Sequence, residues 1–353
     1  MLTHIAERRI ADVFHRGQKE RECRNLYIAD VYHDELANLH TYRGFVYMMK
    51  NYRKFDSPWS QLGLFLGLLG GAWILTILLA GIILAAKMGL GATTHAIDLA
   101  DPALTGILKV TQGVATVTTF ALPAFLYAYL TFRQQSVQAL GFRKPGKPLF
   151  FLLAVALLFV AFPMEGWLGQ VNKAIPLPGW MIRMEEDASK QIDIFLRVDS
   201  PIDIYINLFV IALLPAICEE VCFRGALQRI LIQIFKSPWK GIVVTGIFFS
   251  AFHMQFQGFL PRMFLGILLG AIYWYSSSIW VSILAHFFYN GIQVIAVSFY
   301  PKMIHDNPAV PVYLALISLV IVIGLVYLMR RMSDTTYEQV YEPERKEYDG
   351  FLS

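Results

Sequence analysis

Long uninterrupted apolar runs constrain this chain more than any other feature. Residues 62–86 hold a single polar side chain, Thr76, and one late surprise of charge is absent until Lys87. A helix needs about 20 apolar residues to cross the hydrocarbon core of a bilayer. The pattern recurs, with eight candidate spans near residues 60–86, 105–132, 148–168, 202–228, 241–257, 259–277, 279–300 and 309–329. Charged residues make up 16% of the 353, and hydrophobic ones 56%. A soluble domain carries about 25% charged residues. The expected fold class is all-α, a polytopic bundle of transmembrane helices integral to a membrane. Several runs exceed the length a bilayer needs, so tilt or extension into water is expected.

Loop charges set the expected orientation. Lys50, Arg53 and Lys54 precede the first run, and Arg133, Arg143, Lys144 and Lys147 follow the second. Arg229, Lys236 and Lys240 follow the fourth, and Arg330 and Arg331 follow the last. With eight spans all these clusters fall on one side, which the positive-inside rule assigns to the cytosol, with both termini inside. Arg262 and Lys302 are isolated exceptions. In a prokaryotic host the membrane would be the cytoplasmic (inner) one. The formal charge of +4 is modest and gives no reason to expect nucleic acid as a partner. Cys23, Cys218 and Cys222 are too few and too scattered for a disulfide framework, and the pair at membrane depth reads as small packing residues.

Residues 1–56 form an expected cytosolic N-terminal segment. Within it, Met49-Lys50-Asn51-Tyr52-Arg53-Lys54 has the look of a membrane-protein start, so residues 1–48 are expected to be an extension from an upstream start. Residues 57–200 would hold the first helices and an extracytoplasmic loop, 201–300 the functional core, 301–331 the last span, and 332–353 a solvated cytosolic tail. The connection 169–201 mixes Trp180, Met181, Ile182 and Met184 with charges. It fits an amphipathic segment on the outer surface or a lid packed over the bundle equally well.

The fourth run carries Cys218-Glu219-Glu220-Val221-Cys222-Phe223-Arg224. Ionisable groups at membrane depth are expensive and mark function by default. Two polar pairs follow at helical spacing, Phe249 with His253 and His286 with Asn290. A helix rises 1.5 Å per residue, which puts His253 about 18 Å, His286 about 10 Å and Glu219 about 14 Å from the cytosolic face. Such similar depths predict one shared site.

Glu220 and Arg224 stand at i,i+4 with the acid first, the favourable order for an ion pair. That pair is expected to lock the helix. Glu219 is turned about 100° away and can face a cavity. Glu219 with His253 could share one water as a general base and its orienting group. His286 and Asn290 can donate hydrogen bonds to a developing oxyanion. The set meets the needs of hydrolysing a carbonyl compound, most readily a peptide bond. Phe249 is expected to pack against His253.

The order Glu219-Glu220-x-x-x-Arg224, Phe249-x-x-x-His253, His286-x-x-x-Asn290 resembles the three signature motifs of the CPBP intramembrane protease family. That family includes CAAX prenyl endopeptidases and proteins linked to bacteriocin processing or self-immunity. The resemblance covers about residues 202–300. It implies a cavity within a helix bundle, Glu219 and His253 activating water, and His286 and Asn290 forming the oxyanion hole. Glu220 and Arg224 would be structural or assisting. The implied partners are a membrane-associated, lipid-modified or secreted peptide and the bilayer, with no cofactor expected.

Three alternatives stay open at this level. Glu219, His253 and His286 could instead supply three zinc ligands with one position left for water, although the spacing is not that of H-E-x-x-H. The same cavity could serve a non-catalytic immunity or scaffold protein. A transporter is disfavoured by the lack of paired repeats.

Overall fold

The computed structural model describes residues 57–88, 104–301 and 309–341. The expectations for residues 1–56, the upstream extension among them, and for 342–353 lie outside the described residues. Among the described residues the chain is helical and contains no strand. The longer helices are α1 (Pro58–Met88), α2 (Thr105–Ala139), α3 (Leu149–Lys173) and α4 (Gly179–Leu196). They continue with α5 (Pro201–Phe235), α6 (Pro238–Ala251), α7 (Phe259–Ser276), α8 (Ile279–Phe299) and α9 (Val312–Met332).

Local chemistry sets the boundaries. Ser200 and Asp203 form a capping box ahead of α5, with Pro201 at the first helical position, so the orphan N–H groups of the first turn are met. Lys236 (φ 50) and Ser277 (φ 56) are left-handed residues that end α5 and α7. Both turns reverse the chain at once into the next helix.

Among the described residues, seven helices are long and apolar enough to cross a membrane, namely α1, α2, α3, α5, α7, α8 and α9. The expected fifth span, 241–257, is different. Its helix α6 has 14 residues, about 21 Å at 1.5 Å per residue. It stops at Ala251, and Met254 at φ 52 turns the chain back towards α7. The polar groups of the turn at 252–258 explain the stop. They are bound by side chains of α3, α4 and α7, which satisfy the backbone that a continuing helix would have satisfied itself.

Two apolar clusters fill the bundle. One joins α3, α7, α8 and α9 through Phe150, Leu157, Leu269, Ile272, Val281 and Val322. The other joins α1, α2 and α5 through Phe65, Tyr127, Val221 and Phe223, and reaches Phe249 and Ile283. The outer faces of α1 and α9 expose Ile77, Ile82, Val320 and Ile323, as lipid-facing surfaces do.

The basic loops converge on one end of the bundle. The Arg143 Nε donates to the Ser277 carbonyl at 2.6 Å and the Gly146 N–H to that of Ser276. Lys147 Nζ donates to the Met332 carbonyl at 2.8 Å. Arg229 lies over the rings of Phe132 and Tyr341. The residues just after α9 are not free in solvent as expected. Tyr341 is buried and stacks on Trp274, with ring centroids 6.4 Å apart. Tyr337 and Tyr341 lie one turn apart and together cover apolar surface at the end of α7, which outweighs the charge of the neighbouring sequence.

At the opposite end, the connection 169–201 holds the end of α3 and the helix α4. Trp180 meets the edge of Phe256, and Glu185 Oε1 accepts the Gln257 N–H at 3.0 Å. Through these two contacts α4 meets the turn after α6, while none of its residues is buried.

Candidate active site

The site is built on α5. Its helix changes to a wider π form over Val221–Gln228, directly after the paired acids. Such segments concentrate at functional positions. Glu220 and Arg224 are fully buried, and Arg224 Nη1 donates to Glu220 Oε1 at 2.7 Å. Arg224 Nη2 reaches across to the Gly266 carbonyl of α7 at 3.0 Å. The guanidinium also sits 4.6 Å from the centre of the Phe249 ring. The expected lock is therefore present, and it ties three helices rather than one.

Close backbone approach makes that reach possible. A Cβ on Gly266 would lie 3.0 Å from Gly246 Cα and 3.1 Å from the Phe249 ring. Small residues let two membrane helices touch, and here they bring the α7 carbonyl within range of Arg224.

His286 enters from α8 and is buried between the two acids. Its Nδ1 lies 3.0 Å from Glu220 Oε1, and its Nε2 lies 3.9 Å from Glu219 Oε2. Glu220 Oε1 already accepts from Arg224, so it is a carboxylate oxygen and Nδ1–H is the donor. Sequence reasoning left Glu219 without an obvious local cation, and the neighbour found in the structure is the imidazole of His286. Glu219 itself is 8% exposed and forms no short hydrogen bond among the described residues.

His253 lies in the turn after α6, not inside a continuous helix. Its Nδ1 is 2.8 Å from the Phe249 carbonyl. A carbonyl only accepts, so Nδ1 carries a proton, and in the neutral ring Nε2 keeps its lone pair. The Phe249 ring is the hub of the group, 5.1 Å from His253 and 5.9 Å from His286 between centroids. Asn290, one turn beyond His286, is half-buried. Its amide takes no hydrogen bond among the described residues.

Glu219, Glu220, Arg224, Phe249 and His286 thus gather at one place, and the Phe249 ring joins His253 to them. For the zinc alternative, the Glu220 contact on Nδ1 leaves His286 Nε2 as the ring nitrogen that could bind a metal, while among the described residues no group of three or more His, Cys, Asp or Glu side chains is placed to hold an ion. Cys218 and Cys222 are buried thiols in the packing of α5.

A second polar group was not anticipated. Glu165 of α3 accepts a hydrogen bond from the Tyr289 hydroxyl of α8, and Tyr289 stacks on Phe162 at 5.0 Å. Arg262, an outlier in the loop charges, binds Gln255 through both the side chain and the backbone carbonyl. Asn172 of α3 donates to the Phe256 carbonyl and accepts the Leu260 N–H, each at 2.7 Å. The signal for Glu165 was in the sequence, an acid within the run 148–168, and the rule that flagged Glu219 applies to it equally.

Residues 201–292 match the family model described as type II CAAX prenyl endopeptidase Rce1-like. No curated protein and no solved structure gives a significant match to the chain. The matched segment carries the paired acids, both histidines, Phe249, Arg224 and Asn290, and its match supports a likeness to the CAAX-type membrane proteases of the CPBP family.

Proposed function

We propose that this integral membrane protein is a glutamate-type intramembrane endopeptidase that cuts membrane-associated peptides. The observation that carries the reading is the position of His286 between Glu219 and Glu220, with His253 across the Phe249 ring. In this reading water lies between Glu219 and His253 Nε2. Glu219 takes a proton from the water as its oxygen attacks the scissile carbonyl carbon. The carbonyl π electrons move to oxygen and form an oxyanion.

Asn290 and His286 stabilise that oxyanion. His286 can donate through Nε2 only in its doubly protonated form, because Nδ1–H is held by Glu220. Glu219 then passes its proton to the amide nitrogen, the C–N bond breaks, and a carboxylic acid and an amine leave. Glu220 and Arg224 orient His286 and touch no reacting atom. The positive-inside rule places the basic end of the bundle in the cytosol.

The test is cleavage of a quenched peptide library by detergent-purified protein, wild type beside Glu219→Ala, with and without a strong chelator. Cleavage that disappears in the variant and survives chelation supports the reading. Cleavage lost on chelation and restored by zinc overturns the metal-independent mechanism. Absence of cleavage by the wild type would favour binding alone in the same cavity.

A further inference from the structure

We infer that Tyr289 and Glu165 are positioning residues that clamp the rotation of α8 and thereby aim Asn290 at the oxyanion. The inference rests on the peptidase reading and adds to it the device that holds its donor in place.

Glu165 is an acid at membrane depth that the mechanism leaves unused. It stands eight residues before Lys173, the last residue of α3, about 12 Å inside that helix end. An ionisable group there marks function by default. Its partner comes from α8, where the buried Tyr289 donates its hydroxyl hydrogen to Glu165 Oε1. Phe162, one turn before Glu165, stacks on the Tyr289 ring with 13° between the planes. One side chain of α8 is thus held at its ring and at its tip by two neighbours on one face of α3.

The clamp matters because of what stands beside it. Residues of a helix turn by about 100° each, so Tyr289 lies about 60° to one side of His286 and Asn290 about 40° to the other. His286 is tied to Glu220 of α5. Asn290 is half-buried, and among the described residues no hydrogen bond fixes its amide. Its place therefore follows from the rotation of α8. The His286 contact alone is a pivot. With the Tyr289 contact to a second helix, α3, the rotation is set. A side-chain tip stands about 5–6 Å from the helix axis, so a turn of about 10° moves it by about 1 Å. A misplacement of that size can cost about 10²-fold in rate.

Burial does not require the pair. Well-packed apolar residues in place of a buried polar pair are often neutral or stabilising. What the hydrogen bond adds is a fixed direction. Glu165 also acts through space on Arg262, as Glu185 and Glu219 do, so the test separates its charge from its hydrogen bond.

The experiment measures cleavage of a library peptide and hydrogen exchange along α8, both on full-length protein in neutral detergent. Tyr289→Phe keeps the ring and loses the donor. Glu165→Ala loses the acceptor, and Glu165→Gln keeps an acceptor without the charge. Tyr289→Phe and Glu165→Ala should each lower kcat about 10- to 100-fold with KM little changed. Glu165→Gln should regain most of what Glu165→Ala loses. In an Asn290→Ala background, Tyr289→Phe should cost less than about 3-fold, because the group it aims is gone. Amides of α8 near His286 and Asn290 should exchange about 5-fold faster in Tyr289→Phe, the scale of one lost hydrogen bond. An equal loss of kcat with and without Asn290 overturns the inference, and so does Glu165→Gln as impaired as Glu165→Ala, or unchanged exchange in α8. If the wild type cleaves no peptide yet exchange rises in Tyr289→Phe, the clamp on Asn290 stands and only the peptidase reading falls.

Discussion

His286 and Glu220 meet through Nδ1 and Oε1 at 3.0 Å, and this contact decides which imidazole nitrogen faces Glu219. Arg224 holds the same carboxylate oxygen from the other side at 2.7 Å. The order Arg224, Glu220, His286 is a chain of orientation that ends at the reacting side of the site.

Glu220→Gln keeps the volume but weakens that orientation. The amide also presents an N–H that can turn towards Arg224 or His286. The expected result is a fall in kcat of about 10²- to 10³-fold, the scale for losing one oxyanion donor, with KM little changed. Steady-state kinetics on a cleaved library peptide would check this. A rise in KM at constant kcat would assign Glu220 to substrate binding instead.

Glu219→Ala and His253→Ala should each abolish cleavage while the protein still folds and inserts. Neither side chain joins the buried hydrogen-bonded lock of Glu220, Arg224 and Gly266. Size-exclusion profiles and thermal melts in detergent separate loss of chemistry from loss of fold. Full activity in either variant would remove that residue from the mechanism.

Much of this arrangement was legible in the sequence because membrane depth makes charge rare. Glu219, Glu220, Arg224, His253 and His286 stood out against apolar neighbours, and helical spacing alone paired Glu220 with Arg224. The end of α6 was not legible. Residues 241–257 are apolar enough to read as a span, and what stops the helix is remote in sequence: Asn172 and Glu185 bind the turn. The reach of Arg224 to Gly266 was hidden for the same reason, since it depends on Gly246 and Gly266 meeting between two helices. Glu165 was visible as an acid in an apolar run, but its partner Tyr289 lies 124 residues away.

Breaking the Glu220–Arg224 pair should cost more stability than removing it. Arg224→Ala leaves a carboxylate at a fully buried position, and an uncompensated buried charge costs about 3–5 kcal/mol. The double variant Glu220→Gln, Arg224→Met removes both charges and should recover most of that loss, yet remain inactive. Unfolding in detergent measures the first effect and peptide cleavage the second. A double variant as unstable as Arg224→Ala would sink the ion-pair account.

Asn172 supplies a test of whether the turn carrying His253 must be held from outside. It is 3% exposed, and its amide closes both a carbonyl and an N–H of the segment after His253. Asn172→Ala should cost about 1–3 kcal/mol, the range for leaving buried polar groups unsatisfied. Activity should fall further than this loss of folded protein explains, because the turn sets the position of His253 Nε2 and a small displacement of a catalytic group is expensive. Asn172→Asp keeps the acceptor for the Leu260 N–H but loses the donor to the Phe256 carbonyl, so its activity should lie between wild type and alanine. Kinetics corrected for the folded fraction, measured by tryptophan fluorescence beside the melt, would read both effects. If activity follows the folded fraction alone in both variants, Asn172 supports the bundle and has no part in placing His253.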